Sequence, residues 1–133
     1  MQPNQIVLAV DEANDTVLVN HTFDRFDEYQ NRTVYASDVS SLSAKDQLTF
    51  YRTFPKSNGN FKGVAKSALK FSWDQVVDGV DGVSQLTSPI IMEISFSIPV
   101  GSSDEAVLLM RQRGIAILDD DTIMDKLNLQ QQI

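Results

Sequence analysis

Lys62, Lys66 and Lys70 recur at every fourth residue. In an extended strand, where side chains alternate with a period of two, that spacing puts all three ammonium groups on one face. A row of cations is suited to phosphate, because each neutralised phosphate releases counterions and drives binding that weakens with salt. On the preceding segment Thr49, Tyr51 and Thr53 also share a face, and their hydroxyls and ring could hydrogen-bond to or stack on unpaired bases. Arg52 has the opposite parity, which sends it to the other face or to an edge unless a bulge intervenes, and Lys56 falls in the turn between the two segments. Residues 47–73 contain no Asp or Glu and carry +5, so the rest of a chain of net charge −7 carries −12. The net charge alone argues against a nucleic-acid partner, but its segregation predicts one basic surface on an acidic body. A lysine row by itself would equally suit a solvated face; the missing acids favour RNA.

Other chemistries find little support. Cysteine is absent, and the one histidine, His21, has no companion with which to build a metal site, so it reads as a surface or interface residue. Asp78-Gly79-Val80-Asp81-Gly82 alternates carboxylates with glycines but has no bidentate Glu at cation-loop spacing, and a loop tip explains it better. Asp119-Asp120-Asp121 reads as a helix start. No nucleophile with a base, paired catalytic carboxylates or cofactor loop is present, so neither an enzyme nor a metal or cofactor is expected. The N-terminus has no basic stretch followed by an apolar one, and no apolar run reaches the ~18 residues of a membrane span, which points to a cytoplasmic protein with no membrane partner.

The length of 133 residues suits one domain with one core. Residues 5–10 and 16–23 are apolar and β-branched around a turn-forming 11–15, an N-terminal hairpin. Residues 32–39 form a third strand, set off by polar 24–31 and Ser-rich 40–44. Residues 47–54 and 61–73 flank an Asn58-Gly59 turn. In 89–100, Ile90, Met92, Ile94, Phe96 and Ile98 alternate with Ile91, Glu93, Ser95 and Ser97, giving one covered and one open face of an antiparallel sheet. Ser102 and Glu105 fit a capping box opening a helix over 106–118, and a second helix covers 122–129. The order is about six strands, then two helices.

That order leaves the apolar face underdressed. Five or six strands span roughly 25 Å and the long ones run near 40 Å, whereas a helix of about 16 residues is only ~24 Å by ~10 Å. An intertwined symmetric dimer, with helices laid across both sheets and edge strands paired, solves the shortage.

The layout, and most specifically Ile91-Met92-Glu93-Ile94-Ser95-Phe96-Ser97-Ile98-Pro99, then Ser103-Asp104-Glu105-Ala106 and Ile123-Met124-Asp125-Lys126-Leu127-Asn128, resembles the coat proteins of single-stranded RNA bacteriophages, the leviviruses. The resemblance implies an α+β fold: an N-terminal β-hairpin, an antiparallel sheet of about five further strands and two C-terminal helices, in an intertwined dimer with a continuous sheet. It implies dimers that assemble into an icosahedral shell in the host cytoplasm and remain in the virion, with genomic RNA and a maturation protein as partners and an RNA hairpin bound as translational repressor and packaging signal. RNA contacts would then fall to Lys62, Lys66, Lys70, Thr49, Tyr51, Thr53, Glu93, Ser95, Lys56 and Arg52. Asp78, Gly79, Val80, Asp81 and Gly82 would form a loop between dimers, varying in conformation from one shell position to another. Ile94, Phe96, Ile98, Val107, Leu108 and Ile115 would form the dimer core. Val64 and Ala68, between the lysines, bring no polar group with which to read a specific hairpin. The competing reading is a small dimeric β-rich module that binds RNA or peptide without assembling.

Overall fold

The computed structural model describes residues 3–130. Six strands, β1 (Gln5–Val10), β2 (Val19–Tyr29), β3 (Arg32–Ser37), β4 (Asp46–Thr53), β5 (Val64–Asp78) and β6 (Gln85–Pro99), precede two helices, α1 (Asp104–Leu118) and α2 (Asp121–Asn128). The strands form one sheet in chain order, β1-β2-β3-β4-β5-β6, with four strands following the hairpin where about five were expected. Pro89 falls inside β6, which is an edge strand; there a missing N–H costs no ladder bond on the outer side. The chain divides into two compact units, one of residues up to Pro55 with Ala65–Ser97, the other of Lys56–Val64 with residues from Ile98 on.

In the first unit the core lies on one face of the central strands. Phe23 of β2, Tyr35 of β3 and Leu48 of β4 are buried, with Ile6, Leu8, Phe50, Leu69 and Phe71 packed around them. The register explains the cluster: Ile6 pairs with Phe23, Tyr35 with Leu48, Leu48 with Phe71 and Phe50 with Leu69, so the strands present their apolar parity to the same side. Tyr35 is 0% exposed. Its ring meets that of Phe50 edge-on at 5.7 Å, and its hydroxyl donates to the Pro3 carbonyl at 2.7 Å. Burial pushes the phenol up from its ordinary pKa, with the nearby Arg25 opposing.

Several boundaries differ from the sequence reading: β5 runs on to Asp78 and β6 begins at Gln85, where residues 73 and 89 were expected, because the two long strands extend into what reads as a loop. Polar 24–31 is not a connection: β2 runs to Tyr29 and only Gln30 and Asn31 turn, because pairing with β3 holds the segment extended whatever its composition. A bulge between Arg25 and Asp27 shifts the register there. The long strand begins at Val64, not at residue 61. Gly63 has φ +95°, a Cβ there would collide with the Lys56 backbone, and its carbonyl accepts from the Val100 amide at 2.9 Å, so the segment before it is pinned as a loop. Finally, α1 is capped by Ser103, whose hydroxyl accepts from the Ala106 amide at 3.2 Å, and not by Ser102. Ser102 instead donates its amide and its hydroxyl to the Pro99 carbonyl, closing the turn after β6. Asp120 caps α2 by accepting from the Ile123 amide at 3.1 Å.

Neither helix contains a buried residue. Yet α1 reads Ala106-Val107-Leu108-Leu109-Met110 and ends Ile115-Ala116-Ile117-Leu118, apolar at successive positions and hence around most of its circumference. A helix of that composition belongs in an interior.

Candidate nucleic-acid interface

The face of the sheet opposite the core carries Arg32, Lys66 and Lys70. Across β4 and β5, Thr49 pairs with Lys70, Tyr51 with Ala68 and Thr53 with Lys66; on the other side of β4, Val34 pairs with Thr49 and Arg32 with Tyr51. Thr49, Tyr51, Thr53, Lys66 and Lys70 therefore share one face, as their spacing suggested. Lys62 does not join that row: it lies in the connection before Gly63, outside β5, and Lys56 lies in the same connection. Arg52 pairs with Ser67 on the core-side parity, its guanidinium 5.3 Å from the Phe54 ring.

Sequence reasoning missed the other half of this surface. A cleft of about 290 Å³ opens beside Lys70 and Thr49, walled by Phe26, Tyr29, Arg32 and Tyr51. The Arg32 guanidinium stands 4.5 Å from the Tyr29 ring centroid and 6.0 Å from that of Tyr51, a cation held between two aromatic faces. The bulge in β2 brings both Phe26 and Asp27 to the cleft. Arg32 and Val34 have the parity of Thr49, but that relation is set across the 38–45 connection, whose register no local signal in the chain specifies. Asp27 at the rim keeps the face from being uniformly cationic. Rings, hydroxyls, a guanidinium and an ammonium around one cleft can stack on a planar group and hold an anion beside it.

On the opposite face a cleft of about 370 Å³ is lined in part by Thr33, Phe50, Arg52, Ser67, Leu69 and Phe96. In β6, Ile94, Phe96 and Ile98 are half-buried between exposed Glu93, Ser95 and Ser97, so the alternation read from the sequence holds over this half of the strand, whereas Ile90, Ile91 and Met92 are all exposed in the single chain. Val107, Leu108 and Ile115 are exposed in the single chain.

The 79–84 loop is built, not loose. Asp81 accepts from the amides of Val83 and Ser84 at 3.0 and 2.9 Å and from the Ser84 hydroxyl at 2.8 Å. The Gly79 amide donates to the Ser84 carbonyl at 2.6 Å. The Ser84 amide, then the Val83 amide and the Ser84 hydroxyl, hold the Asp81 carboxyl at about 2, well below its ordinary range. His21 meets Glu12 at 2.6 Å near the surface. Among the described residues no group of three or more His, Cys, Asp or Glu could hold a metal ion.

No family model matches the sequence, and no curated protein matches it. Solved structures do. The chain is similar to the subunit of the virus-like particle of bacteriophage AVE019, with a TM-score of 0.75 at 17% identity, covering 96% of this chain and 95% of that one. It is equally similar to the virus-like particle of Beihai levi-like virus 21, at TM-score 0.75, 14% identity and 100% and 98% coverage. The bacteriophage EMS014 coat protein superposes at TM-score 0.60 and 16% identity over 89% of this chain and 74% of that one. The fold is that of the levi-like phage coat proteins, shared from end to end at identities where only architecture persists.

Proposed function

We propose that this chain is the coat protein of a single-stranded RNA bacteriophage: a structural, non-enzymatic, single-domain subunit that dimerises and assembles into an icosahedral shell around genomic RNA. The observation that carries the reading is the likeness to virus-like-particle subunits over nearly the whole length of both chains. The apolar helices with no buried residue in the single chain, and a sheet whose last strand is an unpaired edge among the described residues, support a dimer in which helices cover a partner's sheet and two β6 edges join. Ile94, Phe96 and Ile98 of β6 with Val107, Leu108 and Ile115 of α1 form the core of that dimer.

Lys66, Lys70, Thr49, Tyr51 and Thr53, joined by Arg32 and Tyr29, form the surface that holds RNA inside the shell. Glu93 and Ser95 extend it along β6; Lys56 and Lys62 carry cationic charge in the connection before β5, and Arg52, on the core-side parity of β4, lies outside this face. The same surface serves for binding an RNA hairpin that represses translation and marks the genome for packaging. Asp78, Gly79, Val80, Asp81 and Gly82 meet neighbouring dimers. The particle assembles in the bacterial cytoplasm and carries the phage maturation protein.

Electron microscopy of the overexpressed protein tests the shell: uniform closed particles containing nuclease-protected RNA are expected, and dimers alone at high concentration would instead establish a non-assembling module. On isolated dimers, Lys66→Ala with Lys70→Ala should flatten the dependence of RNA affinity on salt by ~0.7 in log–log slope for each phosphate left without its cation. Tyr51→Ala should weaken binding by about 1–3 kcal/mol at every salt concentration. Unchanged slope and affinity would remove RNA from this face.

A further inference from the structure

We propose that Asn58 is a site of spontaneous covalent modification, converting to aspartate and isoaspartate through attack of the Gly59 backbone nitrogen on the Asn58 side-chain amide. The reaction needs an unhindered backbone N–H directly after the side chain that it attacks. Asn58 is the one Asn in the sequence followed by glycine; every other Asn precedes a residue whose side chain crowds the attacking nitrogen.

The structure separates this site from two rivals that sequence alone leaves equal. Asp78-Gly79 and Asp81-Gly82 offer the same geometry for isomerisation through a carboxyl group. The Gly79 amide, however, is committed to the Ser84 carbonyl at 2.6 Å and the Gly82 amide to the Gly79 carbonyl at 3.0 Å. The Asp81 carboxylate is further engaged by three donors and held in its ionised, unreactive form. Gly59 differs on each count. Among the described residues its amide has no hydrogen-bond partner, nothing lies within 4 Å of where its Cβ would stand, and its φ of +61° belongs to the first central position of a two-residue turn. That turn is held by an isolated bridge, the Asn58 amide to the Phe61 carbonyl at 2.8 Å and the Phe61 amide to the Asn58 carbonyl at 3.0 Å. An exposed pair of bonds flanked by no ladder opens locally without unfolding the rest.

The atoms balance without an oxidant or reductant. The Gly59 nitrogen forms a bond to Asn58 Cγ and gives up its proton to water; the side-chain nitrogen leaves as ammonia; the five-membered imide then takes up one water at either carbonyl. Opening at one gives aspartate, at the other isoaspartate, in which the main chain runs through the former side chain. Either product adds one negative charge between Lys56 and Lys62, where the sequence has no acid. If the connection holds RNA, a consequence that rests on the reading above, aged protein binds less tightly and with a shallower salt dependence.

Particles or dimers of the intact chain are incubated in mildly alkaline oxygen-labelled water and mapped by tryptic digestion and mass spectrometry. The 57–62 peptide is expected to acquire label and split into aspartyl and isoaspartyl forms before any other, and Asn58→Gln is expected to abolish the change. In denatured protein the peptides spanning Asp78-Gly79 and Asp81-Gly82 should also isomerise, since their protection is structural. A 57–62 peptide that stays unlabelled while another Asn or either Asp-Gly pair reacts first in the folded protein overturns the proposal. RNA affinity is read separately on the aged sample, so an unchanged affinity with full conversion counts against the RNA role of the connection and leaves the modification standing.

Discussion

The middle of the sheet, rich in aromatic side chains, and the last third of the chain, rich in aliphatic ones, use their apolar residues in opposite ways. Strands β2 to β4 close over their own residues: Phe23, Tyr35 and Leu48 are buried within one chain. Helices α1 and α2 are fully formed and capped, yet contain no buried residue, with only Ile123 and Met124 among their large apolar side chains half-buried. Covering apolar surface is favourable, and large contiguous exposed apolar patches mark interaction sites. The contrast thus separates the part of the sequence that folds the subunit from the part that, in the proposed dimer, a second copy would cover.

Four experiments test that contrast. The largest effect is expected from Tyr35→Ala, which removes a wholly buried ring and should cost about 3–5 kcal/mol by denaturant unfolding, the range for buried aromatics. A loss within ~0.5 kcal/mol, the usual range for a surface site, would put the centre of the sheet on a par with the helices. Leu108→Asp with Ile115→Asp comes next. In the isolated chain these exposed positions should change stability by within ~0.5 kcal/mol each, while the dimer measured by sedimentation should weaken by about 2 kcal/mol or more if they are central to its interface. Unfolding of the chain itself would erase the distinction.

Ser103→Ala tests whether α1 owes its start to local chemistry. Loss of the cap should cost about 1 kcal/mol, read as reduced helix content by circular dichroism in the unassembled protein. The smallest and most local effect belongs to the 79–84 loop. Because the Asp81 carboxyl is lowered from 3.8 to about 2, its hydrogen bonds are intact above the ordinary value and are lost only as pH falls toward 2. Nuclear magnetic resonance of the Val83 and Ser84 amides should give a midpoint near 2, and Asp81→Asn should remove the transition. A midpoint near 3.8 would mean that the loop is as loose as its glycines suggest.

Local pattern carried much of this far. The alternation of Ile94, Phe96 and Ile98 with Glu93, Ser95 and Ser97, the shared parity of Thr49, Tyr51 and Thr53, and the apolar run of α1 were all legible, because strand and helix periods are written in consecutive residues. The errors fell where non-local pairing decides. Lys62 has the right spacing for the cationic row, but Gly63, turned to positive φ against Lys56 and bonded to Val100, ends the loop after it. Residues 24–31 look like a polar connection, and only pairing with β3 makes 24–29 strand.

By itself the chain determined which segments extend, which coil, and which side of each is greasy, since those properties follow from side-chain chemistry read at fixed short intervals. Tertiary structure alone decided that Arg32 stands between Tyr29 and Tyr51 beside Lys70, and that the Gly79 and Gly82 amides are occupied while that of Gly59 has no partner among the described residues. Register between strands and the partner of each backbone amide depend on residues distant in sequence, and no local period encodes them.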